Sequence, residues 1–171
     1  DGSIALAKVL EANPDLVKSK RILELGAGRG LVGVSAAYLG ASQCVLTDLS
    51  YALPGLEQTL QINTSSLNSS DSGESPAVVA AEFDWARPQD FLQDYAGGAF
   101  DVVLAADATW LLELVPLLVG AIAAIGEHSP DVEVLIMHQT RASNVDEELL
   151  RLLSETPFQL VWQLRGGRQG R

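Results

Sequence analysis

Basic residues, cysteine, histidine and long apolar runs are all scarce in this chain, and each shortage removes a class of function. Only 11 Lys and Arg stand against 22 Asp and Glu, a net charge of −11. A field of that sign repels nucleic-acid phosphates and anionic membrane surfaces and attracts a cationic partner. One cysteine among 171 residues excludes an internal disulfide framework and a multi-cysteine metal site. Cys44 lies in the apolar run Cys44-Val-Leu46 and is expected to be a buried structural thiol. The two histidines, His128 and His138, and that cysteine lack zinc-ligand spacing, so no catalytic metal is expected. No apolar run reaches the roughly 18–20 residues that cross a bilayer. The richest stretch, Leu111 to Ile125, is interrupted by Glu113, Pro116 and Gly120. Neither a Gly-x-Ser-x-Gly elbow nor a Walker phosphate loop is present.

The first residues show no leader pattern, and a cytoplasmic protein, with the nucleus as the alternative, is expected. The chain opens at Asp1-Gly2 without a methionine, so residues upstream are expected to be missing. Nothing sets an oligomeric state, and a monomer is the default.

What the chain has is a globular composition, 47% hydrophobic and 19% charged, long enough for one domain with a substantial core. Short apolar runs alternate with helical stretches. The pattern predicts an opening helix from Ala5 to Leu16 that stops near Asn13-Pro14, then strands at Arg21–Leu25, Gln43–Thr47, Ala77–Phe83, Asp101–Ala105 and Val132–Met137. Helices are predicted at Leu31–Leu39, Ala52–Ile62, Gln89–Tyr95, Leu112–Ile125 and Asn144–Ser154. A sixth strand is expected at Phe158–Leu164 and a frayed tail over Gly166–Arg171. The stretch Asn63 to Pro76, rich in Ser, Asn, Asp and Gly, reads as a surface loop, and its two glycosylation-like triplets as chance matches there. Near-continuous apolar strands suit a mostly parallel sheet covered on both faces, and right-handed crossovers make it doubly wound. The expected fold is therefore α/β, Rossmann-like, three layers in a single domain over 1–171. Ligands of such sheets bind at the carboxyl ends of the strands, and the residues just after each strand become the candidates.

After the first predicted strand comes Gly26-Ala-Gly28-Arg-Gly30, opening a helix. Glycines allow a tight turn and close ligand approach, and the helix start offers unpaired N–H groups. Two cofactors use this geometry. Gly28-Arg-Gly30-Leu-Val-Gly33 also fits the dinucleotide G-x-G-x-x-G spacing, with Asp48 placed 20 residues after Gly28 to hold ribose hydroxyls in either case. Three features favour S-adenosylmethionine. Glu24, two residues before Gly26, is awkward beside a pyrophosphate and suits a cationic amino-acid end, directly or through water. Asp84-Trp85 follows the third strand with an acid and an aromatic face for adenine. The fourth strand ends Ala105-Ala-Asp107, a carboxylate near the reactive end. Taken singly, Trp85 reads equally well as core packing, while for Asp107 a helix cap is the lesser alternative. His138 and Arg141, in His138-Gln-Thr-Arg141, are read as a polar strand end rather than as substrate contacts.

At these residues the sequence resembles the class I, seven-strand methyltransferases, and more narrowly the protein-lysine methyltransferase group called methyltransferase family 16. Asp1-Gly-Ser-Ile-Ala-Leu-Ala-Lys8 resembles the family's lead-in, Ile22-Leu-Glu-Leu-Gly-Ala-Gly28 its first motif, and Leu46-Thr-Asp48 its second-strand acid. Phe83-Asp-Trp85 resembles the adenine-side motif, and Asp101-Val-Val-Leu-Ala-Ala-Asp107 with Thr109-Trp110 the fourth-strand motif. Position 110 is Trp where the family usually has Tyr or Phe. The resemblance implies cofactor contacts from Gly26, Ala27, Gly28, Asp48, Trp85 and Ala106, to which the local pattern adds Glu24, Gly30 and Asp84. It places Asp107 and Trp110 beside the methyl group and the incoming amine. The implied activity is methyl transfer from S-adenosylmethionine to a lysine of a protein substrate. A small-molecule methyltransferase and an inactive cofactor-binding or interaction domain are the alternatives.

Overall fold

The computed structural model describes residues 2–67, 77–95, 97–139 and 143–159. Among the described residues five strands form one sheet: β1 (Arg21–Leu25), β2 (Gln43–Asp48), β3 (Ala77–Glu82), β4 (Val102–Ala106) and β5 (Glu133–Met137). All adjacent pairs are parallel, in the order β3-β2-β1-β4-β5. Six α-helices of the described residues alternate with them: α1 (Gly2–Ala12), α2 (Leu31–Tyr38), α3 (Leu53–Leu67), α4 (Pro88–Asp94), α5 (Leu114–His128) and α6 (Ser143–Ser154). The parallel α/β fold is as expected.

Strand alternation splits the core into two layers. Ile22, Cys44, Leu46, Val102 and Leu104 face α1, α2 and α3, where Leu6, Leu10, Val32, Leu56 and Leu60 meet them. Leu23, Leu25, Val45, Val103 and Ala105 face the other way, against Leu92 of α4 and Leu118, Ile122 and Ile125 of α5. Val145 and Leu149 then fasten α6 to Val115 and Val119 of α5. The winding direction reverses between β1 and β4, and the crevice of such a sheet opens there.

Several boundaries differ from the sequence pattern. The opening helix ends at Ala12, and Pro14–Leu16 forms a separate 3-10 turn, because a proline ring cannot continue the helix past the preceding turn. α3 runs on to Leu67 through residues expected to be loop. Side-chain bonds along that helix absorb its polar groups: Thr59 Oγ1 donates to the Gly55 carbonyl at 3.1 Å and Asn63 Nδ2 to the Thr59 carbonyl at 2.8 Å. β3 is an edge strand with Val79 44% exposed, so it is not covered on both faces. Residues 160–164 of the expected sixth strand, and the tail, lie outside the described residues; Phe158 and Gln159 are not in a strand.

Candidate functional site

The loop after β1 is built from glycines that the backbone demands. Gly26, Gly28 and Gly30 have φ of 65°, 56° and 77°, the left-handed region that side chains disfavour. Their surroundings differ. A methyl group on Gly30 would sit 2.6 Å from Leu56 Cδ1 and 2.9 Å from Leu46 Cδ2, so this glycine faces the core. A methyl on Gly28 would meet nothing within 4 Å, so this residue is open to a ligand. On Gly26 it would sit 3.2 Å from Trp85 Cζ2 and 3.6 Å from the Cβ of Ala108. The indole of Trp85 therefore lies against the loop, and the segment after β4 adjoins it.

Hydrogen bonds fix the loop to β2. Ala27 N–H donates to the Thr47 carbonyl at 2.9 Å, and Thr47 Oγ1 donates to the Glu24 carbonyl at 2.7 Å. Asp48 closes the arrangement, its Oδ2 accepting from Gly28 N–H and its Oδ1 from Leu49 N–H, both at 2.8 Å. A carboxylate accepts about four hydrogen bonds, so Asp48 retains capacity for a ligand diol.

Glu24 lies beneath the loop rather than on its open side. It is 3% exposed, and its Oε2 accepts from Gly33 N–H at 2.9 Å. Gly30 caps α2 without a side chain, and Glu24 reaches from β1 to satisfy a donor that the helix leaves unpaired at its start. Gly33 makes room for it, since a methyl there would sit 2.5 Å from Glu24 Oε2. Burial pushes the Glu24 carboxyl up to about 8; the Gly33 bond opposes this and nearby Asp48 adds to it. At 3% exposure Glu24 is closed to direct contact, the first of the two routes expected for it, direct or through water. The same burial, with Glu24 adding to it, pushes the Cys44 thiol up to about 12. Cys44 is buried and free, as expected.

On the β3 side, Phe83, Phe91, Tyr95 and Phe100 stack with centroid separations of 4.5, 5.4 and 4.8 Å. This row anchors the end of β3, from which Asp84 and half-buried Trp85 emerge. Asp84 is turned toward its own loop, with Oδ1 accepting from Ala86 N–H at 3.0 Å and Oδ2 pairing with Arg87 Nε at 3.1 Å. The Ala86 bond, with Arg87 assisting, holds its carboxyl below the ordinary value.

Ala106 ends β4 beside Met137 of β5. Asp107 follows at φ 51°, a conformation Asp adopts more readily than most residues. Its N–H donates to the Met137 carbonyl at 2.8 Å. Its Oδ2 accepts from Gly2 N–H at 2.5 Å and its Oδ1 from Gln139 N–H at 3.1 Å. Asp107 thus meets the first turn of α1 while standing at the end of β4. Trp110 is 59% exposed. Past it, Leu112, Glu113 and Pro116 with Asn144 and Glu148 of α6 line a groove of about 610 Å³.

One arrangement escaped the sequence pattern. His138 Nε2 lies 2.6 Å from Asp146 Oδ1, and its Nδ1 lies 3.1 Å from Oγ1 of Thr109, which is 2% exposed. Their separations of 8 and 29 residues match no local periodicity, so only the fold reveals the trio.

Among the described residues no His, Cys, Asp and Glu cluster is arranged to hold a metal ion, and no helix is long and apolar enough to cross a membrane.

Comparison with known proteins settles the family. Residues 3–156 match the family model described as lysine methyltransferase. The chain belongs to that lysine methyltransferase family. Protein N-lysine methyltransferase METTL21A of Danio rerio is 34% identical over 155 residues, covering 91% of this chain and 65% of the relative. Protein-lysine N-methyltransferase EFM3 of Chaetomium thermophilum is 27% identical over 165 residues, 94% of this chain and 47% of the relative. The chain thus spans between about half and two thirds of these lysine methyltransferases. Among solved structures, the ribosomal protein L11 methylase of Lactobacillus delbrueckii subsp. bulgaricus superposes with a TM-score of 0.64 at 22% identity, covering 97% of this chain and 74% of that one. That likeness is one of fold.

Proposed function

We propose that this chain is one methyltransferase domain that binds S-adenosylmethionine at the carboxyl ends of β1, β2 and β4 and methylates a lysine of a protein substrate. The observation that carries the proposal is the junction at Gly26 and Gly28. An open glycine at residue 28 is pinned to Asp48, Trp85 lies on Gly26, and Ala108, next to Asp107, closes the third side. Membership in the lysine methyltransferase family supports the acceptor, and the net charge of −11 favours a cationic partner. The cytoplasm or nucleus is the compartment this reading assumes, and cell fractionation tests it.

The residues fit this cofactor better than a dinucleotide. A pyrophosphate draws on the N–H groups at the start of the following helix; here Glu24 already takes that of Gly33. The remaining lone pairs of Asp48 accept from ribose hydroxyls. The backbone at Gly26, Ala27 and Gly28 lets the ligand approach. Trp85 supplies an aromatic face for adenine, with Asp84 and Ala106 at the margins of the same crevice. Glu24 and Gly30 act from below, by holding the loop in shape.

When bound, S-adenosylmethionine supplies a methyl group on a positively charged sulfur. The chain positions the nucleophile against it and excludes water. A lysine ammonium, with a reference pKa near 10.4, must give its proton to solvent water before the neutral amine attacks. Asp107, held by the backbone N–H groups of Gly2 and Gln139, orients the ammonium. Trp110 covers it through cation–π contact, and the apolar surroundings favour the neutral amine by desolvation.

Thermal-shift measurements with S-adenosylmethionine, S-adenosylhomocysteine and NAD test the cofactor, because a ligand of the folded state raises apparent stability. Stabilisation by the first two and not by NAD is expected. The reverse pattern removes the proposal in favour of a dehydrogenase.

A further inference from the structure

We propose that His138 is a positioning residue that sets the substrate-facing segment 107–110 by hydrogen bonding Thr109, with Asp146 of α6 as its anchor. The inference rests on the methyl-transfer reading for its consequence, but not for its geometry.

The carboxyl end of β5 holds the segment after β4 at three successive residues. The Met137 carbonyl accepts from Asp107 N–H at 2.8 Å. His138 Nδ1 lies 3.1 Å from Thr109 Oγ1. Gln139 N–H donates to Asp107 Oδ1 at 3.1 Å. The first and third bonds need only backbone groups on the β5 side. The second depends on one ring, and the orientation of that ring depends on another element.

Asp146 supplies the orientation. Its Oδ1 lies 2.6 Å from Nε2, and a carboxylate oxygen there accepts a hydrogen bond from Nε2–H. In a neutral imidazole one nitrogen donates and the other accepts. A proton held on Nε2 leaves the Nδ1 lone pair to receive the Thr109 hydroxyl. The carboxylate thereby selects the tautomer, as carboxylates do for histidines that must present a defined nitrogen. The His138 side chain is 13% exposed and that of Asp146 26%, so water competes little for the inner bond. Thr109 is 2% exposed, and a buried hydroxyl without a partner is costly. Releasing His138 therefore favours moving Thr109 out of its place, and with it Trp110, its neighbour, which packs loosely at 59% exposure. Asp107 stays tied by its own backbone bonds. The glycine loop belongs to β1 and β2 and takes no part.

The test uses Thr109→Val, Thr109→Ser and His138→Gln in the full chain. Fluorine NMR of fluorotryptophan-labelled protein reads the clamp without substrate. The chain has three tryptophans, and Trp110→Phe and Trp85→Phe assign the two relevant signals. Thr109→Val and His138→Gln are expected to shift the Trp110 signal and leave that of Trp85 in place, with Thr109→Ser restoring it. With S-adenosylmethionine and lysate protein as substrates, kcat is expected to fall about tenfold in the first two variants, the scale of one lost hydrogen bond. The dissociation constant of S-adenosylmethionine by calorimetry is expected to stay unchanged, and serine to recover the rate. An unmoved Trp110 signal in both variants, or serine behaving like valine, overturns the proposal. A wild-type chain that binds no S-adenosylmethionine refutes the functional reading instead, and the fluorine spectra still decide the clamp.

Discussion

Replacing Glu24 with glutamine keeps an acceptor for Gly33 N–H and removes a titrating group sealed beneath the glycine loop. In the folded chain that carboxyl holds its proton up to about pH 8, against an ordinary value of 4.5. Between those values the unfolded chain has released the proton and the folded chain has not. Folding therefore takes up a proton there, and stability falls as pH rises, by about 1.4 kcal/mol per unit from this group. Above about 8 both states are ionised and the slope disappears; below 4.5 both are protonated. From pH 5 to 8 the loss is bounded at about 4 kcal/mol, a large share of the roughly 5–15 kcal/mol that holds a domain together. Glutamine carries no such slope. Its amide protons need partners, which costs about 1–3 kcal/mol at every pH, so the change with pH is the informative quantity. Urea unfolding of both proteins at several pH values measures it. The stability of Glu24→Gln relative to wild type is expected to rise by up to about 4 kcal/mol across that window. Parallel curves would show that the carboxyl titrates as it does in water, and would refute its placement in the core.

Trp85→Ala is expected to weaken S-adenosylmethionine binding by roughly three- to tenfold, the value of one aromatic contact; unchanged affinity by calorimetry removes Trp85 from the site. Asp107→Asn keeps the left-handed conformation accessible and is expected to slow methyl transfer roughly a hundredfold while the cofactor still binds; normal turnover ends its proposed role. Cys44, with its thiol pushed up to about 12, is expected to react with a disulfide reagent at pH 8 only when the chain is unfolded. Rapid labelling of the native protein would contradict its burial.

The elements that buried apolar periodicity defines were legible in the sequence. Every strand from β1 to β5 was anticipated to within a residue at each end, because each is written as a short, nearly unbroken apolar run, in β1, β2 and β4 through burial on both faces. The end of α3 was not: Asn63 and its polar successors carry loop composition, and only the i−4 bond of Asn63 to Thr59 shows how the helix accommodates them. Most candidate residues were chosen because they follow strands, but position in the chain did not reveal their orientation. Glu24 alternates to the α2 side of β1 and vanishes beneath the loop, Gly30 faces Leu46 and Leu56, and Asp84 closes its own turn. The Thr109, His138 and Asp146 trio had no signal of its own, because three ordinary polar residues on separate elements acquire meaning only when β4, β5 and α6 are brought together.

The most direct test of the central claim is transfer of a labelled methyl group from S-adenosylmethionine into a lysate, with the modified site mapped by mass spectrometry. The expected result is protease-sensitive label on a lysine side chain, lost with Asp107→Asn. Label confined to small molecules, or on another residue type, would contradict it.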